Sequence, residues 1–262
     1  MILRQYIPKQ ALPTLDSIWE LIAEPGDEGM VHPVPPFGMP EILLFAERRR
    51  QIAGVTAERG LLKGQYTQLQ VVEFDGPFHL LVIRLKPYGL RQIFGLDAAN
   101  LVDGYIDAEQ MPLVREMANA LEAAVEVETG LELVMQILQG PDLFEISSET
   151  TRFLQLVEQS SASKVDEVIR DQGIGMRTLQ RRMQQEVGLS PKHYLRIRRM
   201  AQMQMAMPPE PDWLSLVAEY AFADQSHLVK EFKHLMRHTP ADFVKHRMNL
   251  REVFPKSESR QI

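Results

Sequence analysis

The chain has 262 residues, 45% of them hydrophobic and 24% charged, enough for two ordinary domains with real cores. No apolar run approaches the ~20 residues of a membrane helix, so no membrane partner is expected. Cysteine is absent, which excludes disulfides, thiolate zinc sites and cysteine nucleophiles together. The N-terminus, MILRQYIPKQALPTL, lacks a basic start followed by a long apolar segment, so no signal peptide is expected and a cytoplasmic protein is the natural reading. The net charge of −6 is uneven: residues 1–160 sum to −11 and residues 161–262 to +5. An acidic half repels a polyanion and a basic half attracts one.

Residues 1–40 are rich in proline and glycine, and PGDEGMVHPVPPFGMP (25–40) is expected to be irregular because each proline fixes φ and removes a donor. EILLFA (41–46) reads as a buried strand. YTQLQVVEF (66–74) and HLLVIRL (79–85) read as two more, separated by the turn signal Asp75-Gly76-Pro77. From Met111 to Leu138 the pattern turns helical, with Leu113, Met117, Ala120, Leu121 and Ala124 on one face and Gly130 and Gly140-Pro141 as punctuation. The stripe Met117, Leu121 and Ala124 fits either a dimer seam or burial against the strands. Residues 1–140 therefore read as one α+β domain, and residues 141–162 as a joining segment with a helix at 149–159.

From residue 163 onward everything reads as helical. Ser163 and Asp166 resemble a capping box before a short helix with Val165, Val168, Ile169 and Gln172 on one face. Gly173-Ile174-Gly175 makes a tight turn, and a second helix from Met176 to Glu186 ends before Gly188. Ser190-Pro191 starts a third, which runs to about Met205 and is stopped by Pro208, Pro209 and Pro211. Asp212 caps a helix whose core face is Trp213, Leu216, Val217 and Tyr220. After Ala221-Phe222-Ala223, Asp224 starts another, and Thr239-Pro240 opens a last short one. Residues 251–262 read as a flexible tail.

Two of these helices carry the functional signal. In the first, Leu179, Met183 and Val187 share one face and point inward, while Arg177, Gln180, Arg181 and Gln184 lie on the opposite side. Arginine takes guanine O6 and N7 as a fork, and glutamine takes adenine N6 and N7. A short helix with such a face, after another helix and a glycine turn, is what a major groove accepts. The polar face of an ordinary bundle helix would look the same, but a second copy shifts the balance. In 224–236, Leu228, Phe232 and Leu235 face inward, and Ser226, His227, Lys230, Lys233 and His234 face out. Lysine and histidine are mostly phosphate partners, while serine serves bases or phosphates.

RTLQRRMQQEVGLSPKHYLRIRRM (177–200) resembles the first half of an AraC/XylS-family DNA-binding domain, and FADQSHLVKEFKHLMRHTPADFVKHR (222–247) resembles its second half. The resemblance implies a sequence-specific DNA-binding transcription regulator. Its all-α domain at 163–250 would have seven helices and two helix-turn-helix units, with 191–205 as a stiff spacer setting two recognition helices about one turn of DNA apart, ~34 Å. Base and phosphate contacts carry over onto Arg177, Gln180 and Arg181, and onto Gln225, Ser226, His227 and Lys230. Ser190 and Thr239, at helix starts, suit phosphate contact through backbone N–H groups or are plain caps. The chain departs from the family pattern at Ile169 and Val217, where a small Ala is usual, at Ala221 and Arg237, where Gly is usual, and at Gly175, where a capping Ser is usual.

PPFGMPEILLF (35–45), Gly64 and VIRLKPYGLRQIFGLDAANLVDGYID (82–107) resemble a domain placed before AraC-type modules. That resemblance implies a sensor or dimerisation part, built as a small β-rich, barrel-like core with appended helices. The implied partners are double-stranded DNA, RNA polymerase, a small-molecule effector and a second copy of the chain, with no cofactor. Some relatives fuse the module to alkyl-transfer repair chemistry, which needs a cysteine that this chain lacks, so no enzyme is expected. The alternative is a protein-interaction module with degenerate helix-turn-helix units, motivated by Ile169, Val217 and Arg237. His32 and His79 lack a partner at metal-ligand spacing, and nothing in the sequence brings Glu41 and Glu73 together.

Overall fold

The computed structural model describes residues 2–24, 31–46, 50–52, 55–73, 76–140, 142–159, 175–208, 210–245 and 258–262. The strands are β1 (Ile2–Ile7), β2 (Leu15–Ala23), β3 (Val31–Val34), β4 (Glu41–Phe45), β5 (Arg50–Ile52), β6 (Val55–Ala57), β7 (Gly60–Lys63), β8 (Gln70–Glu73), β9 (Phe78–Leu85), β10 (Tyr105–Asp107) and β11 (Glu258–Gln261). Seven of them make one sheet in the order β10-β7-β4-β9-β2-β1-β11, while β3 pairs with β8 and β5 with β6. The domain is β-rich, as expected. Among the described residues, however, the sheet has two edges, β10 and β11, and does not close into a barrel.

Side chains alternate between faces along a strand. In β4, Ile42 and Leu44 enter one apolar cluster while Leu43 and Phe45 enter another; in β9, Leu81, Ile83 and Leu85 divide in the same way from Phe78, Leu80 and Val82. Both faces of these strands are buried, and this is why they read as continuous apolar runs rather than as alternation. The first cluster also takes in helices α1 (Gly89–Phe94), α2 (Pro112–Ala123) and α3 (Val127–Gln139). Met117 and Leu121 are buried in it, so that stripe packs on the sheet domain. Gly130 lies inside α3 instead of ending a helix. A Cβ there would stand 2.9 Å from Leu121 Cδ1, so the missing side chain lets α3 approach α2.

Three expectations are corrected. The first 24 residues hold two strands, β1 and β2, and within the proline-rich stretch residues 31–34 pair with β8. Pro33 is tolerated there because a two-stranded ladder leaves one side of each strand unpaired. Among the described residues the strand expected over 66–74 is confined to β8, and Leu69 before it is buried in the core of the other domain. The end of the expected tail is ordered: β11 runs parallel to β1, and the last residue, Ile262, is buried in the first cluster, with its N–H donating to the Ile7 carbonyl at 3.1 Å.

The C-terminal half is helical: α4 (Ser148–Gln159), α5 (Met176–Val187), α6 (Pro191–Ala206), α7 (Trp213–Glu219) and α8 (Gln225–Met236), with residues 240–245 also helical. The helix expected at 163–172, with Ile169, lies outside the described residues, as does Pro209. Ser190, Asp212 and Asp224 cap α6, α7 and α8, each accepting from a backbone N–H of the first turn. Leu179, Met183, Ile197, Met200, Met203, Leu228, Phe232 and Leu235 are buried together, whereas Met205 is exposed. Among the described residues no helix is long and apolar enough to cross a membrane.

Candidate nucleic-acid interface

Helix α5 places its apolar back, Leu179, Met183 and Val187, fully inside the helical core. Arg177, Gln180 and Arg181 are exposed on the other side and line a shallow depression with Thr178, Gln184 and Ser190. Gln184 is exposed as well, but its Nε2 donates to the Gly188 carbonyl at 2.9 Å, which leaves it less free to reach a base than Gln180. The helix ends at Gly188, whose φ of +88° is the left-handed cap that glycine adopts without strain. Ser190 is a cap: its hydroxyl accepts from His193 N at 3.3 Å. His193 is pushed down by its burial and by Arg196 beside it, so it stays neutral at pH 7 and adds no charge.

Helix α8 repeats the arrangement with different chemistry. Leu228, Phe232 and Leu235 are fully buried, and Gln225, Ser226 and Lys230 are exposed. His227 is half-buried and holds the turn: its Nδ1 accepts from Ala223 N at 3.2 Å, and its ring meets Phe222 edge-on at 5.7 Å. Thr239 is also a cap, accepting from Asp242 N at 3.2 Å and donating to Asp242 Oδ2 at 2.5 Å. The two departures from glycine sit in left-handed backbone: φ is 51° at Ala221 and 58° at Arg237. The turns therefore keep their shape with a non-glycine residue, at a conformational cost of roughly 1–2 kcal/mol each. Val217 is half-buried and packs against the edge of the core.

A further set of cations lies between these helices and was not singled out from the sequence. Lys192, Arg196 and Arg199 fall at i, i+4 and i+7 on α6, one face of the helix, and line a groove of about 860 Å³ that also includes Gln180 and His227. The i, i+4, i+7 spacing after Ser190-Pro191 was the available signal. Arg196 Nε donates to Glu231 Oε2 on α8 at 2.6 Å. The Arg199 guanidinium lies 4.4 Å from the Phe222 ring centroid and donates to the Ala221 carbonyl at 3.4 Å.

Residues 169–246 match the family described as Helix-turn-helix domain. This segment is an AraC-type helix-turn-helix domain. Residues 4–107 match a second family, described as Domain of unknown function DUF6597. Comparison with curated proteins finds no match. Among solved structures, an apo variant of ToxT from Vibrio cholerae strain SCE256 is 11% identical with a TM-score of 0.48, over 88% of this chain and 98% of that one. ToxT from Vibrio cholerae O395 bound to (E)-4-(8-methylnaphthalen-1-yl)but-3-enoic acid is also 11% identical, with a TM-score of 0.47, over 88% of this chain and 99% of that one.

The N-terminal domain grips the AraC-type domain at the C-terminal ends of both outward-facing helices. At the end of α5, a Cβ on Gly188 would stand 2.8 Å from the Ala98 carbonyl oxygen, and Glu186 accepts from the hydroxyl of Ser147, in the joining segment, at 2.8 Å. At the end of α8, Leu69 N donates to the Leu235 carbonyl at 2.7 Å and Arg237 donates to Gln68 at 2.9 Å. Behind them, Arg198 on α6 donates to the Phe37 carbonyl and pairs with Glu158. Arg177, Gln180 and Arg181 on α5, and Gln225, Ser226 and Lys230 on α8, remain exposed.

Proposed function

We propose that this protein is a sequence-specific transcription regulator whose helices α5 and α8 enter two successive major grooves of duplex DNA, and that a small molecule or partner acting on the N-terminal domain controls it. The carrying observation is the pair of helices with fully buried apolar backs and exposed polar fronts, arranged within one AraC-type domain. The spacer α6 has 16 residues, about 24 Å at ~1.5 Å per residue, an order of length that suits two helices about one DNA turn apart. Arg177, Gln180 and Arg181 carry base reading in this scheme, and Gln225, Ser226 and Lys230 carry anchoring with limited base reading. Ser190, Thr239 and His227 support the helix starts, and Gln184 has a lesser part.

Control from the N-terminal domain is supported by where that domain holds the helices. A shift at Gln68-Leu69 or at Ala98 is transmitted through the ends of α8 and α5 without covering their reading faces. Such a regulator works in the cytoplasm, in reach of RNA polymerase.

The test is a footprint of the full chain on duplex fragments flanking its own gene. Two protected blocks on one face of the duplex are expected, fading steeply as salt rises because phosphate contacts release counterions. No protected site at moderate salt, together with no effect of Arg181→Ala, would sink the reading. Salt-insensitive association with a protein and none with DNA would favour an interaction module instead.

A further inference from the structure

Glu231 is an acid on α8, the second of the two helices proposed to face DNA, and a carboxylate in that position repels phosphate. It is not solitary. Its Oε2 accepts from Arg196 Nε at 2.6 Å, and its Oε1 lies 3.8 Å from His227 Nε2. The side chains of Arg196 and Glu231 are 26% and 16% exposed, so the pair lies at the wall of the groove, reachable from solvent. The same groove carries Lys192, which is exposed, and Arg199, whose guanidinium is held by Phe222 and the Ala221 carbonyl. It is continuous with the reading face of α5, because Gln180 lines both.

We infer that Glu231 sets the strength of sequence-independent DNA binding: by holding Arg196 it withdraws one cation from the phosphate backbone crossing between the two units, and so weakens binding to duplexes of any sequence. The inference rests on the DNA-binding reading above. Its logic is electrostatic. Three cations on one face of α6 would make a sequence-blind phosphate seat, since lysine and arginine contacts to phosphate add affinity to every duplex alike. Pairing Arg196 with Glu231 cancels one of them and also ties α6 to α8. Because that effect is common to every duplex, the pair lowers affinity and its salt dependence without changing which sequence is preferred.

The test measures binding of the full chain to two duplexes, the one protected in the footprint and an unrelated one of equal length, over a range of salt. Glu231→Gln keeps the shape and removes the charge. Freeing Arg196 for one phosphate steepens the plot of log affinity against log salt by about 0.9, which at ~0.1 M salt is about an eight-fold gain for a fully formed contact. A gain of about three- to eight-fold on both duplexes, leaving their ratio unchanged, is therefore expected. In an Arg196→Ala background the same change should give only the small gain of removing a repelling charge, without the added salt slope of a new phosphate contact. Glu219→Gln, an equal charge change on an exposed residue outside the groove, should give a smaller one.

An unchanged salt slope would overturn the inference. So would weaker binding with a lower melting temperature and no change of slope, the result a purely structural brace would give. A wild-type chain with no affinity for either duplex would overturn the DNA-binding reading itself, a result distinguishable from failure of the Glu231 assignment.

Discussion

The backbone N–H of Leu69, in the N-terminal domain, donates to the carbonyl oxygen of Leu235, in the last turn of α8, at 2.7 Å. Leu69 is only 3% exposed and packs among the apolar side chains of the AraC-type domain. One segment of the N-terminal domain thus supplies both a hydrogen bond and a core side chain to the second helix-turn-helix unit. Leu69→Ala is expected to lower stability by about 2–5 kcal/mol, the range for removing a buried leucine side chain. Denaturant unfolding followed by two probes, one in each domain, checks this; a change below about 0.5 kcal/mol would show that the contact does not couple them.

Gly188 and Arg237 end the two outward-facing helices in left-handed backbone, with opposite consequences for substitution. At Gly188 a side chain is strained by its φ and meets Ala98 O and Val102 Cγ2 within 3 Å. Gly188→Ala should therefore destabilise by about 2 kcal/mol or more. At Arg237 the strain already exists, and Arg237→Gly and Arg237→Ala both lose the hydrogen bond to Gln68. The difference between them isolates the backbone: the glycine variant should be more stable than the alanine variant by about 1 kcal/mol. Equal melting temperatures for the two variants would contradict this.

The two reading faces should respond unequally. Gln180→Ala or Arg181→Ala should change which sequence is preferred, with about 1–3 kcal/mol lost at the bases each one reads. Lys230→Ala should weaken all duplexes about alike and lower the salt slope by about 0.9. Selection of bound sequences from a random duplex pool separates the two outcomes; loss of the same sequence preference from both helices would remove the division of labour.

The N-terminal sheet carries two buried carboxylates whose titration predicts an acid limit. Glu20 would be raised by its burial, but hydrogen bonds from His79, Arg4 and Tyr6 outweigh this and hold it at about 2. Glu41 is likewise opposed by burial, but Lys63 at 2.5 Å and Arg84 at 2.8 Å hold it at about 2. Their folded values lie below the ~4.3 of a free glutamate. The stability they contribute is therefore complete above that pH and is lost as pH falls toward 2. Thermal unfolding should be level from about pH 7 to 5 and fall steeply below about 4. Glu41→Gln should flatten that fall while costing about 3–5 kcal/mol at neutral pH, because Lys63 is left buried without its counter-charge.

The helical half was legible because its signals are local. Periodicity separates Leu179 and Met183 from Arg177, Gln180 and Arg181 within one helix, and Ser190, Asp212 and Asp224 mark helix starts within four residues of the groups they bond. The same local reading took His227 and Thr239 as DNA contacts, whereas their side chains also bond the adjoining backbone. In the N-terminal half, β4 and β9 were visible as apolar runs. β1, β2 and β3 were hidden behind prolines and a mixed pattern, and the sheet order could not be read at all.

By itself, then, the sequence determined the two helices with exposed polar fronts and buried backs, since a side chain's face on a helix follows from its position in the chain. Only the tertiary structure decided what meets across the chain. Leu69 enters the other domain, Ile262 returns to the first sheet, Glu20 meets His79, and Arg196 meets Glu231. Arg196 and Glu231 are 35 residues apart, Arg198 and Phe37 are 161 apart, and Arg237 and Gln68 are 169 apart. Such pairings depend on which elements pack side by side, a choice made by burial of whole faces, and no spacing within a single element records it.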